Sequence, residues 1–494
     1  GSSGKTMARR VQEAGGFRKL VLGDGKKEHA LVVREDGHFR HQKAWRGAGV
    51  AVPVFSLRTK DSVGCGEFHD LIQLVELASM TNMSVIQLLP VNDTSVHDNW
   101  MDSYPYSALS VFALHPMYIS LPQVLAHYPV KMHYNASAHV SILSEIEGHR
   151  RALDGPTVNY EGVMKAKGDV CGKLLSLYWK RCHRDEEFND FVEENAFWLS
   201  PYATFCAMKS FFGHSDHSDW GSMRNPAYAI KRVLGGRTLK DLFNPDADLS
   251  LALPDSSIGS RQGKDPKGNE ALLSSFALVM RHAVFVQFHL HLQFAKVKHC
   301  AEASAVALKG DLPIGVDKNS VECWVKRECF RMDVCAGSPP DYYSNEGQNW
   351  GFPTYDWEAM EREGFSWWKE RLSHMANFFH AYRIDHILGF FRIWEVPARN
   401  KAKEEVSADD ILLPGLLGRF RPVLTIQRSE LDARGIWDID RLCKPYITMD
   451  LLEEHFGADL AQAVAAFFLF KRHEYYEFKE PFTESNVVFF DKIG

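Results

Sequence analysis

The sequence predicts an α/β fold with a parallel sheet, on two observations. Three times an amphipathic helical pattern runs through a short turn into a compact apolar strand, and each of these strands ends beside a carboxylate. Strands that alternate with helices pair in parallel and are covered on both faces, so they read as apolar runs. Carboxylates at their carboxyl ends stand where α/β barrels and open sheets keep their chemistry, although any one of them can equally cap a following helix or turn. Periodicity alone does not separate a closed barrel from an open sheet.

The first unit places Leu71, Leu74, Val75 and Ala78 on one helical face, turns at TNM and continues as SVIQLLPVND, ending at Asp93. The second runs from FALVMRHAVFVQFHLHLQFAKVKHCAEA into SAVALKGD, ending at Asp311. The third runs from WWKERLSHMANFFH into AYRIDH, ending at Asp385. The stretches from about 120 to 270 and after about 396 read as mainly helical and resemble insertions. Within the first of them SSIGSRQGKDPKGNEA (256–271), polar and rich in glycine, has the composition of a mobile loop.

With 494 residues, 45% of them hydrophobic, the chain has ample material for a core, as one large domain with insertions or as several smaller ones. A formal net charge of −6 and the lack of a basic arm argue against nucleic acid as a partner and for a neutral ligand. Nine cysteines without a C-x-x-C pair read as reduced thiols of an intracellular protein and give a zinc site little support. No apolar run reaches the roughly 18 to 20 residues of a bilayer span, and GSSGKTMARR holds no secretory-type apolar stretch, so the chain reads as soluble and cytoplasmic. Its start at Gly suggests a scar of preparation or the edge of a longer protein.

Chemistry concentrates in YRIDHILGF (382–390), where charged groups sit among apolar neighbours. Residues two apart on a strand share a side, so Arg383 and Asp385 emerge together while Ile384 faces away. A carboxylate held ionised by such an Arg suits attack on an acetal carbon; a buried structural salt bridge is the alternative. Aromatic residues gather in DSYPYSALSVF (102–112), SPPDYYSNEGQNWGFPTYDW (338–357) and GFFRIWE (389–395). Rings beside amides and carboxylates fit the apolar faces and hydroxyls of sugars, and the composition of 338–357 makes it a loop, whose aromatics reach ligands more often than those of a core.

Five motifs now occur in one order: WRGAGVAVPVFSLRTKDSVGCGEF (45–68), SYPYSALSVFALHP (103–116), LKGDLPIGVDKNSVECW (308–324), VCAGSPPDYYSNEGQNWGFPTYDW (334–357) and YRIDHILGFFRIWEVP (382–397). In them the chain resembles the 4-alpha-glucanotransferases of the amylomaltase or disproportionating-enzyme family, above all the cytosolic plant type that acts on maltose. The resemblance implies a (β/α)8 TIM barrel, present as its first half, with large mainly helical insertions. Residues 1–43 would be the tail of a starch-binding-like β module, 44–119 the start of the catalytic barrel and 120–270 a mainly helical insertion. Residues 271–397 would carry barrel strands 2 to 4 with the nucleophile, and 398–494 the insertion of the maltose-acting branch.

The implied activity is retaining glycosyl transfer from maltose or maltodextrins to a glucan acceptor, with no metal or organic cofactor and no membrane partner. Asp385 would be the nucleophile with Arg383 beside it, and Tyr106 the aromatic residue near the donor sugar. Asp311, Asp341, Tyr342, Gln348, Trp350 and His386 would bind substrate, His386 having the orientation of the strand as its other possible role. The family's acid/base Glu, in an EDLG-like motif, and its third essential Asp, after an HD pair, do not occur in 398–494. The expectation is therefore a truncated piece, inactive by itself. The alternatives are a non-catalytic glucan-binding fragment and, ranked lower on GAGVAVPVFSL and GQNWGFPTYDW, a hydrolase of the α-amylase group.

Overall fold

The computed structural model describes residues 13–14, 17–22, 27–31, 47–128, 136–246, 266–342, 344–398, 415–423, 447–472 and 475–479. They divide into two compact units, residues 1–389 with 393–421 and residues 390–392 with 422–494. The first three strands, β1 (Glu13–Ala14), β2 (Phe17–Leu22) and β3 (Lys27–Leu31), form an antiparallel sheet. The chain continues with β4 (Gly49–Val52), β5 (Val85–Leu88), β6 (Asn92–Asp93), β7 (Ser110–Leu114) and β8 (Ala307–Leu312). After these come β9 (Phe330–Ser338), β10 (Gln348–Tyr355), β11 (Ala381–Ile384), β12 (Arg392–Pro397) and β13 (Arg419–Pro422).

A four-stranded sheet of order β11-β8-β5-β4 is parallel throughout. Helices precede three of its strands, as the alternation requires. Asp70–Met80 buries Leu71, Val75 and Ala78 and leads into β5; Pro266–Ala303 leads into β8 and Ser366–Met375 into β11. The strand ending at Asp311, counted second from the sequence, is third in chain order because Gly49–Val52 also pairs in the sheet. Burial on both faces, which the apolar runs predict, does not hold: Ile86, Leu88, Leu308 and Leu312 of the inner strands share one fully covered face, while Val85, Gln87, Ala307 and Lys309 on the other stay partly exposed. The outer strands β4 and β11 are partly exposed, Ile384 to 38%, since each has a strand on one side only among the described residues.

A second sheet, β10-β9-β12-β13, corrects the reading of 338–357 as a loop. Gln348–Tyr355 pairs antiparallel with β9 and buries Phe352, Thr354 and Tyr355. Pro353 obscures the strand in sequence; here it lies at a register shift on an outer strand, the setting in which a sheet tolerates proline.

Between β7 and β8 stand the helices Ala136–Leu153, Tyr160–Cys182, Glu186–Glu194, Ala196–Phe212 and Pro226–Leu234. Of the mobile-loop stretch 256–271, residues 256–265 lie outside the described residues, and Pro266 already opens a helix. Lys167 and Glu67 are buried together 2.8 Å apart, and Lys167 also donates to the carbonyls of Met117 and Ile119, which offsets the cost of desolvating the pair. The eight cysteines among the described residues are unpaired, Cys443 lying outside them. No described helix is long and apolar enough to cross a membrane.

The second unit packs helices Met449–Phe456 and Ala458–Phe468 on a hairpin of β14 (Leu469–Arg472) and β15 (Tyr475–Phe478). Leu452, Ala461, Val464, Ala465 and Leu469 form its core.

Candidate active site

The site is built where β8 and β11 end. These strands run parallel with Arg383 opposite Asp311, so the two side chains rise together on one side of the sheet. The guanidinium spans two carboxylates: Nη1 donates to Asp311 Oδ2 (2.5 Å) and Nη2 to Asp385 Oδ1 (2.7 Å). Tyr106, on the segment before β7, donates its hydroxyl to the same Asp311 oxygen (2.8 Å). The Asp385 N–H donates to the Leu312 carbonyl (3.0 Å), which carries the ladder one residue past the strand and fixes the backbone of Asp385.

The two acids differ in exposure. The Asp311 side chain is fully covered, whereas that of Asp385 is 29% exposed, open to a ligand. Burial pushes the Asp311 carboxyl above its usual range, and the Tyr106 hydroxyl and Arg383 pull it back. Its Oδ1 has no hydrogen-bond partner among the described residues. Tyr106 is pushed up to about 12 by burial and by its bond to Asp311, so it stays a donor at neutral pH.

His386 follows the nucleophile candidate in the left-handed region, at φ 47°, unusual for a residue with a Cβ. Its ring meets Trp350 edge to face at 4.9 Å between centroids, and burial holds its pKa below the ordinary histidine value while Asp385 raises it. Trp350 Nε1 donates to Gln348 Oε1 (2.9 Å), so the first residues of β10 stand beside His386. Asp341 accepts from the Ser344 N–H (2.9 Å) in its own turn, and Tyr342 is 95% exposed on the same loop. The structure thus brings Asp385, Arg383, Asp311 and Tyr106 into one bonded cluster and sets Trp350, Gln348 and His386 in a second contact group.

Asp93 is not part of this cluster. Its carboxylate accepts from Tyr202 (2.7 Å) and from the Ser95 hydroxyl and N–H (2.7 and 3.0 Å), which makes it a buried structural group. Sequence reasoning passed over Tyr104, whose 58% exposed ring lies 5.6 Å from that of Tyr106 and whose phenol is pushed up by burial and then by the charge of Asp385. The signal was present, as the doubled tyrosine of SYPY. It also passed over Asp317, which accepts from Ser107 (2.9 Å) and donates its N–H to the Ala108 carbonyl (3.0 Å), anchoring the residues after Tyr106. Glu328, Cys329 and Glu363 are near enough to share a cation, but burial pushes the Cys329 thiol up to about 11 and Lys326 already pairs with Glu363, a poor ligand set.

Residues 52–233 and 262–417 match the glycoside hydrolase 77 family model, described as 4-alpha-glucanotransferase. The chain belongs to the 4-alpha-glucanotransferase family. It is 40% identical over 463 residues to the 4-alpha-glucanotransferase DPE2 of Oryza sativa subsp. japonica, covering 94% of this chain and 43% of that protein. The 4-alpha-glucanotransferase of Chlamydia pneumoniae is 32% identical over 374 residues, covering 74% of this chain and 60% of the relative. The chain therefore spans about half the length of these curated relatives.

Two solved structures share the fold of this family member. The amylomaltase of Streptococcus agalactiae in complex with acarbose superposes with a TM-score of 0.54 at 20% identity, over 85% of this chain and 72% of that one. The amylomaltase of Corynebacterium glutamicum gives 0.56 at 17% identity, over 88% and 54%. Both support an α/β fold of the amylomaltase type.

Proposed function

We propose that the complete protein transfers glucosyl units from maltose or a short maltodextrin to a glucan acceptor in the cytoplasm, by a retaining double displacement at Asp385. The observation that carries this reading is the fork of Arg383, which orients one oxygen of a solvent-open carboxylate at the carboxyl end of a parallel strand. Asp385 attacks the anomeric carbon as the glycosidic oxygen leaves; the acceptor hydroxyl then displaces the carboxylate, and the configuration is retained. Leaving-group protonation needs a second carboxyl about 5 to 5.5 Å from the nucleophile. Asp311 is a poor donor for it, being committed to Tyr106 and Arg383; a further carboxylic acid of the complete protein fills this role.

In the same reading Tyr106 and Trp350 lie against sugar rings, Gln348, Asp341, Tyr342, Asp311 and His386 supply polar and loop contacts, and no cofactor, nucleic acid or membrane takes part. The parallel sheet is the first half of a (β/α)8 barrel, 120–270 and 398–494 are insertions, and 1–43 ends a starch-binding-like module. The relatives' names, two of them 4-alpha-glucanotransferase, and acarbose bound to the streptococcal amylomaltase support the choice of glucans.

The test is glucose release from maltose with glycogen as acceptor, using the complete protein. Asp385→Asn is expected to lower the rate at least about a thousandfold, because the amide is not a nucleophile. Unchanged transfer by this variant would remove Asp385 from the mechanism.

A further inference from the structure

One turn of the chain, far in sequence from the 338–357 segment, is built into its base. Gly415–Leu417 forms a single helical turn. The Leu416 N–H donates to the Glu346 carbonyl (2.6 Å), the Gly415 carbonyl accepts from Trp394 Nε1 (2.8 Å), and the Gly418 N–H closes the turn on Gly415 (2.9 Å). Backbones meet here without side chains between them. A Cβ on Gly415 would lie 2.3 Å from the Gln348 nitrogen, and one on Gly418 would lie 2.2 Å from Trp394 Nε1. Gly347, at φ +67°, could not take a Cβ without meeting the Ser338 carbonyl at 2.7 Å.

From this contact the path to the nucleophile is short. Gln348 follows Gly347 directly and accepts from Trp350, and Trp350 packs on His386, the neighbour of Asp385. We propose that the 415–418 turn is a strap that sets residues 344–350 beside the nucleophile, with Gly415 and Trp394 as positioning residues acting through Gln348 and Trp350. The inference rests on the glucan-transfer reading for its consequence, since a loosened strap would weaken glucan binding, but the strap itself is a property of the fold. The indole of Trp394 serves as its buckle: one ring fills the space left by Gly418 and supplies the hydrogen bond that holds Gly415.

Two variants separate the strap from general stability. Trp394→Phe removes the N–H donor together with the pyrrole edge that faces Gly418, while Gly415→Ala pushes a methyl into the Gln348 backbone. In both, amide exchange of 344–350 is expected to accelerate roughly fivefold or more, as loss of one backbone-anchoring hydrogen bond implies. The Kd for maltoheptaose, read by calorimetry, should rise about threefold or more while the melting temperature of Trp394→Phe shifts by less than about 2 °C. The comparison is Val396→Ala, a fully buried position on the same strand as Trp394, paired with Cys335; it should lower the melting temperature and leave exchange at 344–350 unchanged. Unchanged exchange in both strap variants, or equal acceleration in Val396→Ala, overturns the proposal. If the unaltered chain takes up no maltoheptaose, the glucan reading loses its support for this chain, and the exchange measurements still decide the strap.

Discussion

At the scale of single residues the decisive feature is that one guanidinium serves two acids. Arg383 reaches Asp311 with one nitrogen and Asp385 with another, a planar fork that an ammonium cannot reproduce. Arg383→Lys should therefore keep the charge yet lower transfer by the complete protein about tenfold to a hundredfold, with kcat falling more than KM rises; kinetics within twofold of the parent would show that charge alone suffices. Tyr106→Phe tests the other arm. Its hydroxyl lowers the Asp311 pKa against the push of burial, so the variant should titrate Asp311 higher still, as followed by the carboxyl carbon shift in NMR. A lower value would contradict the assignment. The pairing of Arg383 with Asp385 was legible in the sequence because both lie on one strand two residues apart. The bond from Tyr106 to Asp311 was not, since 205 positions separate them and only the fold brings them together; the strand pattern marks Asp311 and the family resemblance marks Tyr106, neither through the other.

At the scale of elements, neighbouring strands of the parallel sheet are unequal. Leu312, fully buried at the end of β8, should cost about 2 to 5 kcal/mol when cut to Ala, through lost transfer energy and the cavity left behind. Ile384, at the exposed end of β11, should tolerate Thr within about 1 kcal/mol. Urea unfolding of the two variants measures the contrast, and equal losses would mean that β11 is covered in solution. The same inequality explains what the sequence disclosed. β5, β8 and β11 each follow a helical pattern, so the change of period marks them. β4 is a four-residue run without a preceding helical pattern, and β10 carries Pro353 and two register shifts; neither offers the regular alternation by which strands are recognised. Asp93 misled for a related reason: β5 stops at Leu88, and the following residues turn the carboxylate toward Tyr202 rather than to the end of the sheet.

For the whole molecule the consequence lies in its buried titratable groups. Burial pushes His115, His217 and His374 down to about 4, so they stay neutral in the folded state well below the pH at which they take up protons when unfolded. Between pH 6.5 and 4 the unfolded chain binds one more proton at each, and stability falls as pH falls, by up to about 1.4 kcal/mol per unit per histidine. Glu322 opposes them. Burial raises it to about 7, so across pH 4.5 to 7 the folded state holds the extra proton and stability is lost as pH rises. Single variants isolate each contribution. His374→Gln can still donate to the Phe112 carbonyl that His374 Nε2 meets at 2.9 Å, and should flatten the decline of urea midpoints below pH 6.5. Glu322→Gln keeps an acceptor for Ser110 and the Val111 N–H and should steepen that decline. Opposite signs in the two variants are required; a parallel shift of both curves, with slopes unchanged, would mean that neither group titrates across the folding transition and that the buried polar sites admit enough water to keep ordinary values.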